Sequence, residues 1–127
     1  MKIWVDDVRP APEGYIWCKS VNEAKSKIVD QENLFHSACN QVRYHFLNDN
    51  QQFVDDYLEE SKNAKIDVID IDHDAGDYAN DGGDYIKLLD WLEETGRDYP
   101  IRIHSMNPVG AANMRVIIQK NGWTEIR

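Results

Sequence analysis

Apolar positions along this chain switch between a strand-like and a helix-like period. Lys2 to Val5 is a short, β-prone apolar run that stops on Asp6-Asp7. Val8-Arg9-Pro10-Ala11-Pro12-Glu13-Gly14 follows, and its two prolines and glycine predict a loop. Tyr15-Ile16-Trp17-Cys18 is a second strand of aromatic and branched residues. Ser20 opens a helix, with Glu23 three residues on as a capping box. Phe35, Ala38, Cys39, Val42 and Phe46 then recur at helical spacing, and Asp49 is placed to cap another helix with Phe53, Tyr57 and Leu58 as its apolar positions. Residues 30–64 are therefore expected to hold two helices, inserted before the central strand. That strand is Ile66 to Asp72, where Val68, Ile69 and Ile71 fall on both parities, as expected for a strand covered on both faces. Asp70 is an oddity there, an acid in mid-strand. Asp74 to Gly83 is a polar, glycine-rich loop. Tyr85, Leu88, Leu89 and Leu92 form the i, i+3, i+4, i+7 stripe of a helix that Gly96 ends. Ile101 to His104 is a strand, Asn107-Pro108 starts a helix that Gly122 closes, and Trp123 to Ile126 adds a last short strand.

Strands alternating with helices predict an α/β fold with a mostly parallel sheet. One detail strains this. Only Asp6 to Gly14, without a helical pattern, separates the first two strands, whereas a parallel crossover usually needs about a dozen residues. Either that crossover is irregular or the second strand is an antiparallel edge.

Composition narrows the function classes. At 127 residues and 42% hydrophobic, the chain is expected to form one domain, residues 1–127, with a genuine core. No apolar run approaches the roughly 20 residues of a membrane span, and acids interrupt the N-terminus before any signal-like stretch. Cys18 and Cys39 make neither a disulfide framework nor a zinc quartet, and are expected as free thiols of a cytoplasmic protein. A net charge of −9 repels polyanions, which argues against stable capture of long DNA or RNA; without a spanning run, no membrane partner is expected. A small phosphate ligand, or one nucleic-acid end, remains open if a cation screens the acids.

In a parallel α/β sheet, ligands bind beyond the carboxyl ends of the strands. Three of those ends carry the chemistry here: Asp6-Asp7, then Asp72-His73-Asp74, then His104-Ser105 with Asn107 at a helix start. Four carboxylates at one edge stay ionised together only around a cation, or else one takes a proton. Asp6, Asp7 and Asp72, with Asp74 as a further donor, are thus candidate ligands of a hard divalent ion, Mg²⁺, Mn²⁺ or Ca²⁺. Solvated loop acids and helix caps are the bland alternative. An EF-hand over Asp70, Asp72 and Asp74 fails, because Ala75 holds the place of the required glycine. His73 and His104 would stand at neighbouring strand ends. Phosphodiester hydrolysis needs a base for water and an acid for the leaving alkoxide, and imidazole titrates in the useful range. The helix after Asn107 offers free N–H groups to a phosphate, with Gly110 leaving room, Ser105, Asn107 and Asn113 as donors, and Arg9 from the first loop.

These blocks together, Asp6-Asp7-Val8-Arg9-Pro10-Ala11-Pro12-Glu13-Gly14, Asp72-His73-Asp74-Ala75-Gly76 and His104-Ser105-Met106-Asn107-Pro108-Val109-Gly110 with Asn113-Met114, resemble the cyclic-phosphate processing receiver-like domain family. The resemblance implies a receiver-like (flavodoxin-like) sheet flanked by helices and a role on nucleotide or RNA cyclic phosphates. By position it places the family's acid pair on Asp6 and Asp7, its Asp-His-Asp block on Asp72, His73 and Asp74, and its His-Ser and Asn-Pro positions on His104, Ser105, Asn107 and Pro108. Ala75 departs from the bulky apolar residue usual there, and the stretch 30–64 is longer than the join the family leads one to expect.

Three functions compete. The first is a metal-assisted phosphoesterase, with Mg²⁺ or Mn²⁺ as cofactor, in which His73, His104 and Asp72 open a cyclic phosphodiester. The second is a signalling receiver phosphorylated on Asp72; against it, no Lys stands in Thr124-Glu125-Ile126-Arg127, where receivers place one, and the histidines have no task. The third is a protein that binds a cyclic nucleotide without turning it over.

Overall fold

The computed structural model describes residues 1–127. Its strands are β1 (Lys2–Val5), β2 (Tyr15–Cys18), β3 (Val68–Ile71), β4 (Ile101–Ile103) and β5 (Glu125–Ile126). Its helices are α1 (Val21–Leu47), α2 (Gln51–Ala64), α3 (Ile86–Glu94) and α4 (Pro108–Asn121), with a short 3₁₀ turn at Gly76–Asn80. All five strands run parallel in the order β2-β1-β3-β4-β5. That is the flavodoxin-like, receiver-like strand order.

The short first connection is an irregular crossover, and β2 is a parallel edge. Side chains take the place of a helix. Asp6 Oδ1 accepts the N–H groups of Val8 (2.9 Å) and Arg9 (2.7 Å), turning the chain back at once. The indole of Trp4 donates to Arg9 O at 2.9 Å, and Tyr15 N donates to Pro12 O, which closes the loop onto the sheet.

Register decides what each face does. Ile3, Ile69 and Ile101 lie abreast, as do Val5, Ile71 and Ile103. Side chains alternate along a strand, so these share one face. Ile3, Val5, Ile69, Ile71 and Ile101 join one buried core with Val21, Ala24 and Ile28 of α1, Leu88, Leu89 and Leu92 of α3, and Met114 and Ile118 of α4. The other face carries Trp4, Asp70 and Arg102 abreast. Val68 and Asp70 are buried on it, so both faces of β3 are covered, but the helical core accounts for only one of them.

Two expectations about the helical stretch need correction. The break near residue 30 does not exist: α1 runs unbroken from Val21 to Leu47, and only α2 is separate. No proline or glycine occurs between Gly14 and Gly76, so nothing in the chain stops the helix there. Asp49 is not the cap either. It adopts a left-handed φ of 58° in the turn, which a short polar side chain tolerates, and Asn50 takes the N-cap position of α2. The capping box at Ser20 is present in modified form. Glu23 N donates to Ser20 Oγ at 3.0 Å, while the Glu23 carboxylate accepts from Lys19 N instead of Ser20 N. No helix is long and apolar enough to cross a membrane.

Candidate active site

The backbone ladder brings the three strand ends together. Each strand stops one residue short of its functional side chain, yet that next residue still donates to the neighbouring strand: Asp6 N to Cys18 O (3.2 Å), Asp72 N to Val5 O (2.9 Å), His104 N to Ile71 O (3.0 Å). Asp6, Asp72 and His104 are therefore fixed by main-chain bonds. They lie two residues beyond Trp4, Asp70 and Arg102, and so belong to the same face.

His104 is gripped at both ends. Its Nδ1 lies 2.6 Å from Asp70 Oδ1 and its Nε2 2.9 Å from Asp6 Oδ2. Both carboxylates are fully buried, and the His104 side chain is only 7% exposed. Both ring nitrogens therefore face buried carboxylates, an arrangement whose two hydrogen bonds fix the ring in place. Trp4 lies flat on the ring, with centroids 3.8 Å apart and planes 4° from parallel. Asp70 Oδ2 also accepts from Arg102 Nη1 at 2.9 Å. The acid in mid-strand is thus the centre of an Arg102–Asp70–His104–Asp6 chain.

His73 is arranged differently. Its Nδ1 lies 2.8 Å from Asp74 Oδ1, a carboxylate open to solvent. Asn107 Nδ2 lies 3.5 Å from the same nitrogen, and Nε2 has no protein partner. The ring is pressed against the start of α4: a Cβ on Gly110 would come within 2.4 Å of it. Asn107 caps that helix, its Oδ1 accepting from Gly110 N at 3.0 Å, while Ala111 N donates to Asn107 O. Pro108 has no N–H. Of the first turn, then, Val109 keeps its amide free for an anion.

Charge is unevenly distributed across the acids. Burial works against ionisation of Asp6, but the N–H groups of Arg9 and Val8 and the His104 ring outweigh it and hold the carboxyl below its ordinary range. Burial pushes Asp7 the other way, and the charges of Asp6 and Asp72 add to it. The side chain of Asp7 also crowds Gly76, where a Cβ would lie 2.3 Å from Oδ2. Burial and the same three acids raise the Tyr85 phenol, which donates to Lys19 O at 2.6 Å.

Asp6, Asp72 and His104 each offer a ligand atom within 4.8 Å of the other two. Asp7 and Asp74 stand outside that set. Asp7 remains close enough to feel its charge, and Asp74 is turned to His73. An oxygen-rich group of this kind fits Mg²⁺ or Mn²⁺; His104 would have to give up its bond to Asp6 before ligating.

The remaining predicted donors divide. Arg9 reaches the edge, its Nη1 donating to His104 O at 3.2 Å. Ser105 Oγ accepts from Asn107 N at 3.0 Å, ordering the loop before α4. Asn113 is exposed on α4 and bonds to none of these groups. Asp70, Arg102 and Trp4 had no assigned role in the sequence. A buried acid in a β-branched strand was their one signal, and its partners follow only from the register.

A five-stranded parallel sheet with an Asp/His cluster at the carboxyl ends of β1, β3 and β4 defines a receiver-like protein. The family model described as the cyclic-phosphate processing receiver domain matches residues 1–120, and the chain belongs to that family. Comparisons with curated proteins and with solved structures return no match.

Proposed function

We propose that this edge is the active site of a metal-assisted phosphoesterase that opens a cyclic phosphate on a nucleotide or RNA end. The observation that carries this reading is the pairing of one solvent-reachable imidazole, His73, with a fixed cluster of acids and a second imidazole along the same sheet edge. A divalent ion held by Asp6 and Asp72, with Asp7 beside them, would neutralise charge on the phosphate oxygens.

The residues then divide the work. His73 Nε2 takes a proton from the attacking water as its oxygen bonds to phosphorus. One ester P–O bond breaks, and the His73 imidazolium returns that proton to the departing alkoxide, leaving a phosphomonoester and a free hydroxyl. Asp74, on Nδ1, sets the tautomer this requires. His104 stays fixed, keeping Asp6 aimed. Asn107 and the Val109 amide receive a phosphate oxygen, and Arg9 closes the rim.

The test is hydrolysis of a panel of 2′,3′- and 3′,5′-cyclic nucleotides and 2′,3′-cyclic RNA ends with Mg²⁺ or Mn²⁺. His73→Ala should lose about 10²- to 10⁴-fold in rate, with Asp72→Asn also inactive. No turnover on any member by protein that binds the metal removes the proposal. Tight binding without turnover selects a binding protein instead, and stable phosphorylation of Asp72 by a small phosphoryl donor selects a signalling receiver.

A further inference from the structure

A cavity of about 460 Å³ opens at the opposite end of the sheet from the acid cluster. It lies between α1, the chain leaving α2 and the α3–β4 connection, beside Ile66 before β3 and Pro100 before β4. Pockets of this size hold ligands of nucleoside dimensions. Its walls are built, not incidental. Glu32 of α1 takes a two-pronged bond from Arg97, Nε to Oε2 at 3.0 Å and Nη2 to Oε1 at 2.9 Å, and a further bond from the Tyr99 hydroxyl. On the far wall the Met1 ammonium holds Lys65 O and Asp67 Oδ2, each at 2.9 Å.

Inside stands Gln31. It is only 5% exposed, yet its amide makes no hydrogen bond to the protein. Every fully enclosed side-chain polar atom in the molecule has a partner, so the access left to this amide is toward the cavity it lines. Unpaired with protein and open to solvent, the amide can exchange water for a ligand without giving up a protein bond. The amide offers an acceptor and two donors in one plane, a pattern complementary to the adjacent amino and ring-nitrogen atoms of adenine. Phe35, Tyr99, Pro100 and Ile66 give the cavity flat, apolar surfaces suited to a planar ring. Arg97 and the Met1 ammonium neutralise Glu32 and Asp67, which leaves Asp98 and His36 beside Lys65 and no built cluster of cations for a phosphate.

We propose that this cavity is a second ligand site that takes an uncharged, planar nitrogen heterocycle, a purine base or nucleoside, with Gln31 reading its edge. The site is independent of the phosphoesterase reading, since none of its residues belongs to the acid cluster.

The experiment is a titration of ¹⁵N-labelled protein with adenosine, inosine and AMP, following the Gln31 side-chain amide signals and, in every variant, the backbone amide signals of Ile66 and Tyr99. Adenosine should shift them saturably, AMP should bind more weakly, and Gln31→Leu should weaken adenosine at least about tenfold. Gln31→Glu serves as a second variant, and the thermal melt of each confirms that it folds. Adenosine should still shift the Gln31 signals in Asp72→Asn protein, which separates this site from the acid edge. Absence of any saturable shift, unchanged affinity in both folded Gln31 variants, or tighter binding of AMP than of adenosine would each overturn the proposal.

Discussion

Replacing Asp70 with Asn is the sharpest test of how the site is held. The side chain keeps its shape and one acceptor oxygen but loses its charge. Two contacts change. The bond to His104 is enclosed on both sides, at 2.6 Å, and a buried charge-assisted bond of this type contributes about 1.5–3 kcal/mol. The bond to Arg102 joins a buried acid to a guanidinium that is 44% exposed, so it behaves like a surface pair worth about 0–1 kcal/mol. Together Asp70→Asn should cost about 1.5–4 kcal/mol, a fall in Tm of roughly 5–16 °C for a domain of this size. Arg102→Ala removes only the exposed end and should cost less than about 1 kcal/mol. Equilibrium urea unfolding of the two variants beside the native protein measures both. A loss below about 0.5 kcal/mol for Asp70→Asn, or a larger loss for Arg102→Ala, would refute the view that His104 is locked between two buried carboxylates.

Three further outcomes follow from other contacts. Gly110→Ala should drive a methyl into the His73 ring and lower turnover roughly tenfold to a hundredfold with metal affinity unchanged; steady-state kinetics and metal titration separate the two. Asp7→Asn should raise the Tm of metal-free protein at neutral pH while weakening Mn²⁺ binding, because burial and the charges of Asp6 and Asp72 penalise the folded carboxylate; calorimetry reads both. Glu32 titrates in the opposite sense. Burial opposes its ionisation, but Arg97 and Tyr99 hold it below its ordinary range, so its stabilisation is complete above the unfolded value near about 4.3 and fades as pH falls through the lower folded value. Glu32→Gln should therefore flatten the stability–pH curve below about pH 5, measured by urea unfolding.

The parts of this site legible in the sequence were those set by strand ends. Asp6, Asp7, Asp72 and His104 each follow an apolar β-prone run, and a parallel sheet sends such positions to one edge. Asp70 was visible as an anomaly, but its partners were not. Arg102 and His104 lie 32 and 34 residues away, and only the register between β3 and β4 makes them neighbours. Gln31 carried no signal at all, since a polar residue in a helix reads as solvent-facing until the fold buries it. The boundary error in α1 has a similar origin. Its apolar stripe is interrupted by Asp30, Gln31, Glu32 and Asn33, which looks like a break in periodicity, while the backbone meets no residue able to end a helix. The length of the first crossover excludes a helix but does not reveal the side-chain turn at Asp6.

The most direct measurement is paramagnetic broadening by Mn²⁺ in the ¹H–¹⁵N spectrum of the native protein. Substoichiometric Mn²⁺ should erase the amide signals around Asp6, Asp72 and His104 first, leave those around Gln31 and Tyr99 sharp, and lose this selectivity in Asp72→Asn. Broadening centred elsewhere, or none at these three strand ends, would contradict a single acid and imidazole centre at the sheet edge.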